Sequence, residues 1–335
     1  MRRLVMAVLL GVFMLGLLLA IPPLREVLRA IGHMNPGWIA AGVGFELASC
    51  AGFVVVFRLF FAPLPAPQAR KLAWTEMASG VLLPAGGIGG LAIGGWLMHL
   101  AGMSTRSIVQ RSSALFFITS AASVAAMVVA GALLVTGVSE GPEDFLRAVS
   151  PILVGCLVTA IVLALPARQS KRTSRPGGPA WISDLIDGIR EAEYALRRPS
   201  WRLLGSLAYL VFDIAVLWAT FAALGDRPPL APLTLAYIIG YLANLIPVPG
   251  GVGVLDGGLV ATLIIYGIAP VHAAAAVLVY HAIAFWVPGL GGLLGLTMLR
   301  RELATGGGSN IEAPIRPSAP GPQGRSSGHM RAGHD

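Results

Sequence analysis

Five ionisable side chains stand inside stretches that are otherwise apolar: Glu46, Glu76, Asp213, Asp256 and His281. A charge at the bilayer centre costs about 2.5–3.5 kcal/mol on insertion scales, so such residues mark places where ions, protons or headgroups are handled. Two proline-glycine segments are the second source of chemistry. One holds Pro84, Gly86 and Gly87, the other Asn244, Pro247, Pro249, Gly250, Gly251 and Gly253. Proline removes a backbone donor and breaks a helix, while glycine permits positive φ and close approach of backbone to a ligand. A half-helix that starts after such a tip aims free N–H groups and its positive dipole end at an anion such as phosphate.

Asp256 falls in the first turn of the half-helix after the second tip, where it also complements the dipole. His281 lies about 11 residues into the last apolar run, roughly 16 Å deep at helical rise, near the midplane. The two are expected to face each other across the cavity. Glu46 and Asp213 sit near the middle of full spans. Tyr237, Tyr241, Tyr280 and Asn244 either line the same cavity or join helices by hydrogen bonds. Arg58 and Arg111 lie nearer the ends of their runs and read as snorkelling side chains. Gly90 with Gly94, and Gly291 with Gly295, read as small-residue packing contacts.

No enzyme constellation is present. There is no zinc-ligand spacing, Walker loop or nucleophile elbow, and the six His residues are scattered. Gly87-Ile88-Gly89-Gly90-Leu91-Ala92 resembles a dinucleotide fingerprint only on paper, because no strand precedes it and no acid follows about 20 residues on. The expectation is a protein that is not an enzyme and uses no cofactor or metal. Cys50 and Cys156 both fall in apolar stretches and read as small core residues.

The elements that position these groups follow from composition. Of 335 residues, 56% are hydrophobic and 12% charged, against about 25% charged in soluble domains. Full spans are expected at 4–21, 37–61, 108–138, 149–166, 201–224 and 271–299, with a short amphipathic helix at 24–34. Residues 72–102 and 232–268 form broken hairpins. Each hairpin arm is about 15 residues, or about 22 Å, too short for a roughly 30 Å core. Residues 167–199 form a polar loop whose second half, with Ile182, Leu185, Ile186, Ile189, Ala192 and Leu196 at helical spacing, is a surface helix. The loop is expected to bind the anionic inner leaflet, mostly through Arg168, Lys171, Arg172 and Arg175. Residues 302–335 are Gly, Ser and Pro rich and read as a disordered tail.

Six crossings starting from the cytoplasm leave only Arg25, Arg29, Arg147 and Arg227 outside, so 20 of the 24 Lys and Arg lie inside. That bias sets both termini and the 167–199 loop in the cytoplasm of a cell inner membrane. It also argues that the basic excess reports topology rather than nucleic-acid binding. The order span, span, hairpin, span then occurs twice with opposite orientation, over 1–138 and 149–299. The fold class is therefore an all-α polytopic membrane protein: six full transmembrane helices, two re-entrant or broken helical hairpins, and an inverted-topology repeat within one domain, residues 1–301.

The motif Pro247-Val248-Pro249-Gly250-Gly251-Val252-Gly253-Val254-Leu255-Asp256, with Gly267-Ile268-Ala269-Pro270 and Tyr280-His281-Ala282-Ile283-Ala284-Phe285-Trp286-Val287-Pro288, resembles the C-terminal signature of one family. That family is the flippase-like transmembrane region of lysylphosphatidylglycerol synthases and their stand-alone relatives. Leu82-Leu83-Pro84-Ala85-Gly86-Gly87 is similar to its first motif. The resemblance covers about residues 1–300. The family usually has Glu at the position of Asp256 and Arg at that of His281. The first motif here continues as Gly90-Leu91-Ala92-Ile93-Gly94-Gly95, without the family's polar and charged residues. The aminoacyl-transferring members carry a large soluble domain, so the likeness is to a stand-alone member.

The resemblance implies translocation of a lipid between leaflets. The partners expected are membrane lipids, an anionic phospholipid or a polyprenyl-linked lipid, whose headgroup the two tips would cradle. The alternatives are a membrane enzyme or accessory subunit acting on a lipid-linked sugar or phosphate, with Glu76 and Asp256 as paired acids, or a scaffold that recruits an enzyme through the basic loop.

Overall fold

The computed structural model describes residues 22–62, 64–82, 94–99, 103–141, 145–170, 180–242 and 254–304, and every element among them is helical. The N-terminal run 4–21, both proline-glycine tips, the basic stretch 171–179 and the tail 305–335 lie outside the described residues. The helices are α1 (Pro22–Gly32), α2 (Pro36–Phe60), α3 (Ala66–Leu82), α4 (Thr105–Val135), α5 (Phe145–Ser170), α6 (Ala180–Arg197), α7 (Leu204–Ala223), α8 (Leu230–Tyr241), α9 (Val254–Ile265) and α10 (Pro270–Ala304). One short helical stretch covers 94–99.

The ends of these helices are set locally. The Asn35 side chain accepts from Gly37 N and caps α2, and Ser104 accepts from Ser107 N at the start of α4. Gly225, at φ +88°, ends α7, and Asp226 N reaches back to the Phe221 carbonyl at 3.0 Å. That reverse bond needs a left-handed residue, which glycine adopts without a Cβ penalty. Gly267, at φ +94°, does the same between α9 and α10.

Four helices are long and apolar enough to cross a bilayer: Pro36–Phe60, Thr105–Val135, Trp201–Ala223 and Pro270–Met298. Shorter apolar helices cover Val149–Ile161, Leu230–Tyr241 and Leu255–Ile265. The two arms of the second hairpin, α8 and α9, have 12 residues each, about 18 Å at helical rise. Large apolar side chains such as Leu157, Leu207, Leu278 and Leu294 face outward. In a multi-pass membrane protein that surface meets lipid rather than water.

Among the described residues the two larger of three buried clusters lie around the hairpins, and a small third one holds Val27, Met34, Ala223 and Ala275. One of the larger two gathers Leu217, Phe221, Leu233, Leu235, Leu259, Leu263 and Tyr280, around the second hairpin. The other gathers Val56, Phe57, Phe61, Leu72, Met98 and Leu115, around the first. Glycines bring helices together. A Cβ on Gly52 would lie 2.7 Å from Tyr209 N, and one on Gly205 would lie 2.6 Å from the Gly52 carbonyl oxygen, so α2 and α7 touch backbone to backbone. Gly291, Gly292 and Gly295 of α10 lie against Trp74, Ala78 and the Lys71 carbonyl of α3.

Several boundaries differ from the sequence reading. The first hairpin's leading arm starts at Ala66, not at residue 72, so Arg70 and Lys71 belong to it. α5 runs from Phe145 to Ser170, through Pro166 where a stop was expected. Cys156 is exposed, not a core residue, because it faces away from the neighbouring helices. α6 forms where the periodicity placed it, but it is not a detached surface helix. Ile186, Ile189 and Ala192 are buried, and Gly188 lies so close to α4 that a Cβ would come 2.6 Å from the Gln110 carbonyl oxygen. Its acids face α4: Arg106 pairs with Asp184 at 3.3 Å and with Asp187 at 3.2 Å, and Gln110 donates to Glu191 at 3.0 Å.

Candidate functional site

The close crossing of α2 and α7 at Gly52 and Gly205 sets the register of the polar interior. Glu46 and Asp213 lie on the same side of that crossing on antiparallel helices, within electrostatic reach of each other. Both are buried, at 6% and 7% exposure. Asp213 receives two phenols: Tyr237 of α8 donates to Oδ2 at 2.5 Å, and Tyr280 of α10 donates to Oδ1 at 3.0 Å. The Tyr237 ring meets Tyr280 edge-on, with centroids 6.3 Å apart, and lies 5.2 Å from the Tyr241 ring. Glu46 receives the Cys50 thiol at 3.7 Å on Oε1. Its Oε2 is buried with no hydrogen-bond partner among the described residues.

One turn of α10 serves two acids. Tyr280 reaches Asp213, and the next residue, His281, presents Nδ1 to Asp256 Oδ1 at 2.7 Å. Consecutive helical residues point about 100° apart, so this turn separates the two contacts onto different faces. The His281 and Asp256 side chains are 16% and 22% exposed, and the Phe285 ring lies nearly parallel to the imidazole. Asp256 is in the first turn of α9. The residues before it, including Asn244, Pro247, Pro249, Gly250, Gly251 and Gly253, lie outside the described residues.

Glu76 stands apart from this group. It is 8% exposed on α3, its Oε2 has no hydrogen-bond partner among the described residues, and a Cβ on Gly94 would lie 3.0 Å from that oxygen. It is thus held inside the first hairpin, next to the point where the described chain resumes after Pro84, Gly86 and Gly87. Its described contact is with Gly94, whereas that of Asp256 is with His281 on α10.

The sequence singled out Glu46, Asp213, Tyr237, Tyr241 and Tyr280 separately; the fold collects them. It missed Cys50 as a partner of Glu46, although the i, i+4 spacing carried that signal. It missed Tyr209, whose carbonyl accepts from Ser49 Oγ at 2.9 Å at the same crossing. Arg111 is half-buried: it lines the open space between α4 and α6, and its Nη1 is buried with no hydrogen-bond partner among the described residues.

The arrangement is a polar interior built from five helices of an apolar chain, bringing together acids, phenols and an imidazole. The profile of the lysylphosphatidylglycerol synthase TM region matches residues 4–292. The chain belongs to that family. A UPF0104 membrane protein of Methanothermobacter thermautotrophicus is 31% identical to it over 101 residues, which is 30% of this chain and 29% of that relative's length. The chain is therefore a multi-pass membrane protein of the lysylphosphatidylglycerol synthase TM family, and the membership points to a lipid-related role. Of the C-terminal motif, Asp256 and His281 are both described and meet between α9 and α10.

Proposed function

We propose that this protein moves a lipid between leaflets, passing an anionic or glycosylated headgroup through the polar interior while the tail stays in the bilayer. The observation that carries the reading is the Asp256–His281 pair at 2.7 Å, set where a proline-glycine tip leads into a half-helix. A mobile headgroup needs polar partners at a depth where water is absent. The buried Glu46 and Asp213 on the adjoining faces extend those partners inward. The two hairpins act as opposed halves of an inverted repeat of six spans, in a cell inner membrane with both termini cytoplasmic. Two separate cores, one around each hairpin, suit rocking of one half against the other. The lipid leaves chemically unchanged.

Purified protein in liposomes carrying a headgroup-labelled lipid tests this. Label should become accessible in the opposite leaflet with no change in lipid mass. Asp256→Asn should slow the rate roughly tenfold, the equivalent of about 1.4 kcal/mol, and Gly251→Val should abolish it while the protein still inserts. Normal rates in both variants would reduce the hairpin to a packing device. A lipid of altered mass would favour an enzyme acting on a lipid-linked sugar or phosphate.

A further inference from the structure

Away from the polar interior, α4 and α6 flank an open cavity of about 470 Å³ lined by Ser107, Gln110 and Arg111 of α4 and Asp187, Arg190, Glu191 and Tyr194 of α6. Its charges are not all satisfied internally. Asp187 accepts from Arg106 at 3.2 Å and from Arg190 at 3.4 Å, and Glu191 accepts from Gln110 at 3.0 Å. Each lining acid thus has its donor. Arg111 is not fully satisfied: its Nη1 is buried with no hydrogen-bond partner among the described residues. A buried guanidinium nitrogen left without an acceptor is uncommon and asks for a partner, such as a water or an anion. The guanidinium fork matches phosphate oxygens two at a time. Ser107 Oγ already accepts from Ser104 Oγ at 2.9 Å, so its own proton is left for an acceptor in the cavity.

The position of the cavity says where the phosphate comes from. α4 has 31 residues, about 46 Å, which exceeds a roughly 30 Å hydrocarbon core by about 16 Å. Its charged and amide side chains, Arg106, Gln110 and Arg111, all lie in its first two turns, so the surplus projects at that end, at headgroup depth. At the cavity Tyr194 is exposed, as is Leu196 on the same helix, and Arg198 sits over the Tyr194 ring at 5.4 Å. Exposed aromatic and aliphatic groups flanked by arginine are the side chains of a membrane interface.

We propose that the α4–α6 cavity binds the phosphate of a membrane-lipid headgroup, held by Arg111. The site is separate from the Asp256–His281 region and does not depend on translocation.

The test reads the cavity itself, so lipid bound elsewhere does not contribute. In the full chain with Cys156→Ser, Tyr194→Cys places a thiol at the cavity wall, and its maleimide labelling is timed in detergent. Dioctanoyl phosphatidylglycerol should slow labelling, and with Arg111→Gln about tenfold more lipid should be needed, a difference of about 1.4 kcal/mol. Dioctanoylglycerol, which lacks phosphate, should give no protection, and inorganic phosphate should protect only at much higher concentration. Arg111→Lys keeps the charge without the fork and covers the case in which Arg111→Gln does not fold; it should protect more weakly than arginine. Equal protection in the Arg111 variants and the parent, or equal protection by dioctanoylglycerol, overturns the site. Inorganic phosphate acting at the same concentration as the lipid overturns the lipid assignment. None of these readouts measures transport, so their failure leaves the translocation reading standing.

Discussion

At the scale of single residues, space decides more than polarity does. Gly52 and Gly44 are both glycines inside α2, four residues from Ala48 on either side. A Cβ on Gly52 would lie 2.7 Å from the Tyr209 backbone nitrogen, whereas a Cβ on Gly44 would meet nothing within 4 Å. Gly44→Ala should leave stability unchanged or raise it by about 0.5–1 kcal/mol, since alanine is the better helix former. Gly52→Ala should cost about 1–3 kcal/mol, because two backbones must part. Thermal unfolding in detergent reads both, and equal shifts would sink the account. The same contact holds Glu46 near Asp213, so Gly52→Ala should also disturb the Tyr237 and Tyr280 hydrogen bonds.

At the scale of elements, the first hairpin depends on α10. Gly292 lies against Ala78, and a Cβ there would come 2.5 Å from the Trp74 carbonyl oxygen. A cysteine pair made by Leu82→Cys and Gly289→Cys, joined by a short bifunctional cross-linker, reports this contact, since the Gly289 Cβ site lies 3.8 Å from Leu82 Cδ2. Adding Gly292→Val should push α3 off α10 and cut cross-linking of that pair to about a tenth, the effect of about 1.4 kcal/mol. The α2–α7 and α8–α9 contacts should survive, because Gly292 touches neither. Unchanged cross-linking would mean that the glycine face of α10 does not hold the hairpin.

At the scale of the whole molecule, the distribution of basic residues predicts orientation. The loop after α4 carries Glu140, and its surroundings hold few cations, whereas α6 and the residues before it hold many. In a Cys156→Ser background, Ser139→Cys should react with an impermeant maleimide added to intact cells, and Ser170→Cys should not. The reverse pattern would refute the proposed topology and the opposed halves that depend on it.

Much of this architecture is legible in one dimension. Hydropathy and the two proline-glycine breaks give the membrane class, the short hairpin arms and most element positions, because the bilayer acts on each segment by itself. The Asp256 position in a first turn follows from the same local rule. What the sequence does not carry is which faces meet. Whether Asp213 finds Tyr237 and Tyr280 depends on the rotation of three helices, and that is set by how near Gly52 and Gly205 let two backbones approach. The docking of α6 onto α4 is likewise invisible to periodicity, which reports an apolar face but not its partner. Arg111 shows the limit most plainly. Near a helix end, snorkelling is the natural expectation, and only the packing of α6 beside it leaves the arginine half-buried with its Nη1 sealed from water.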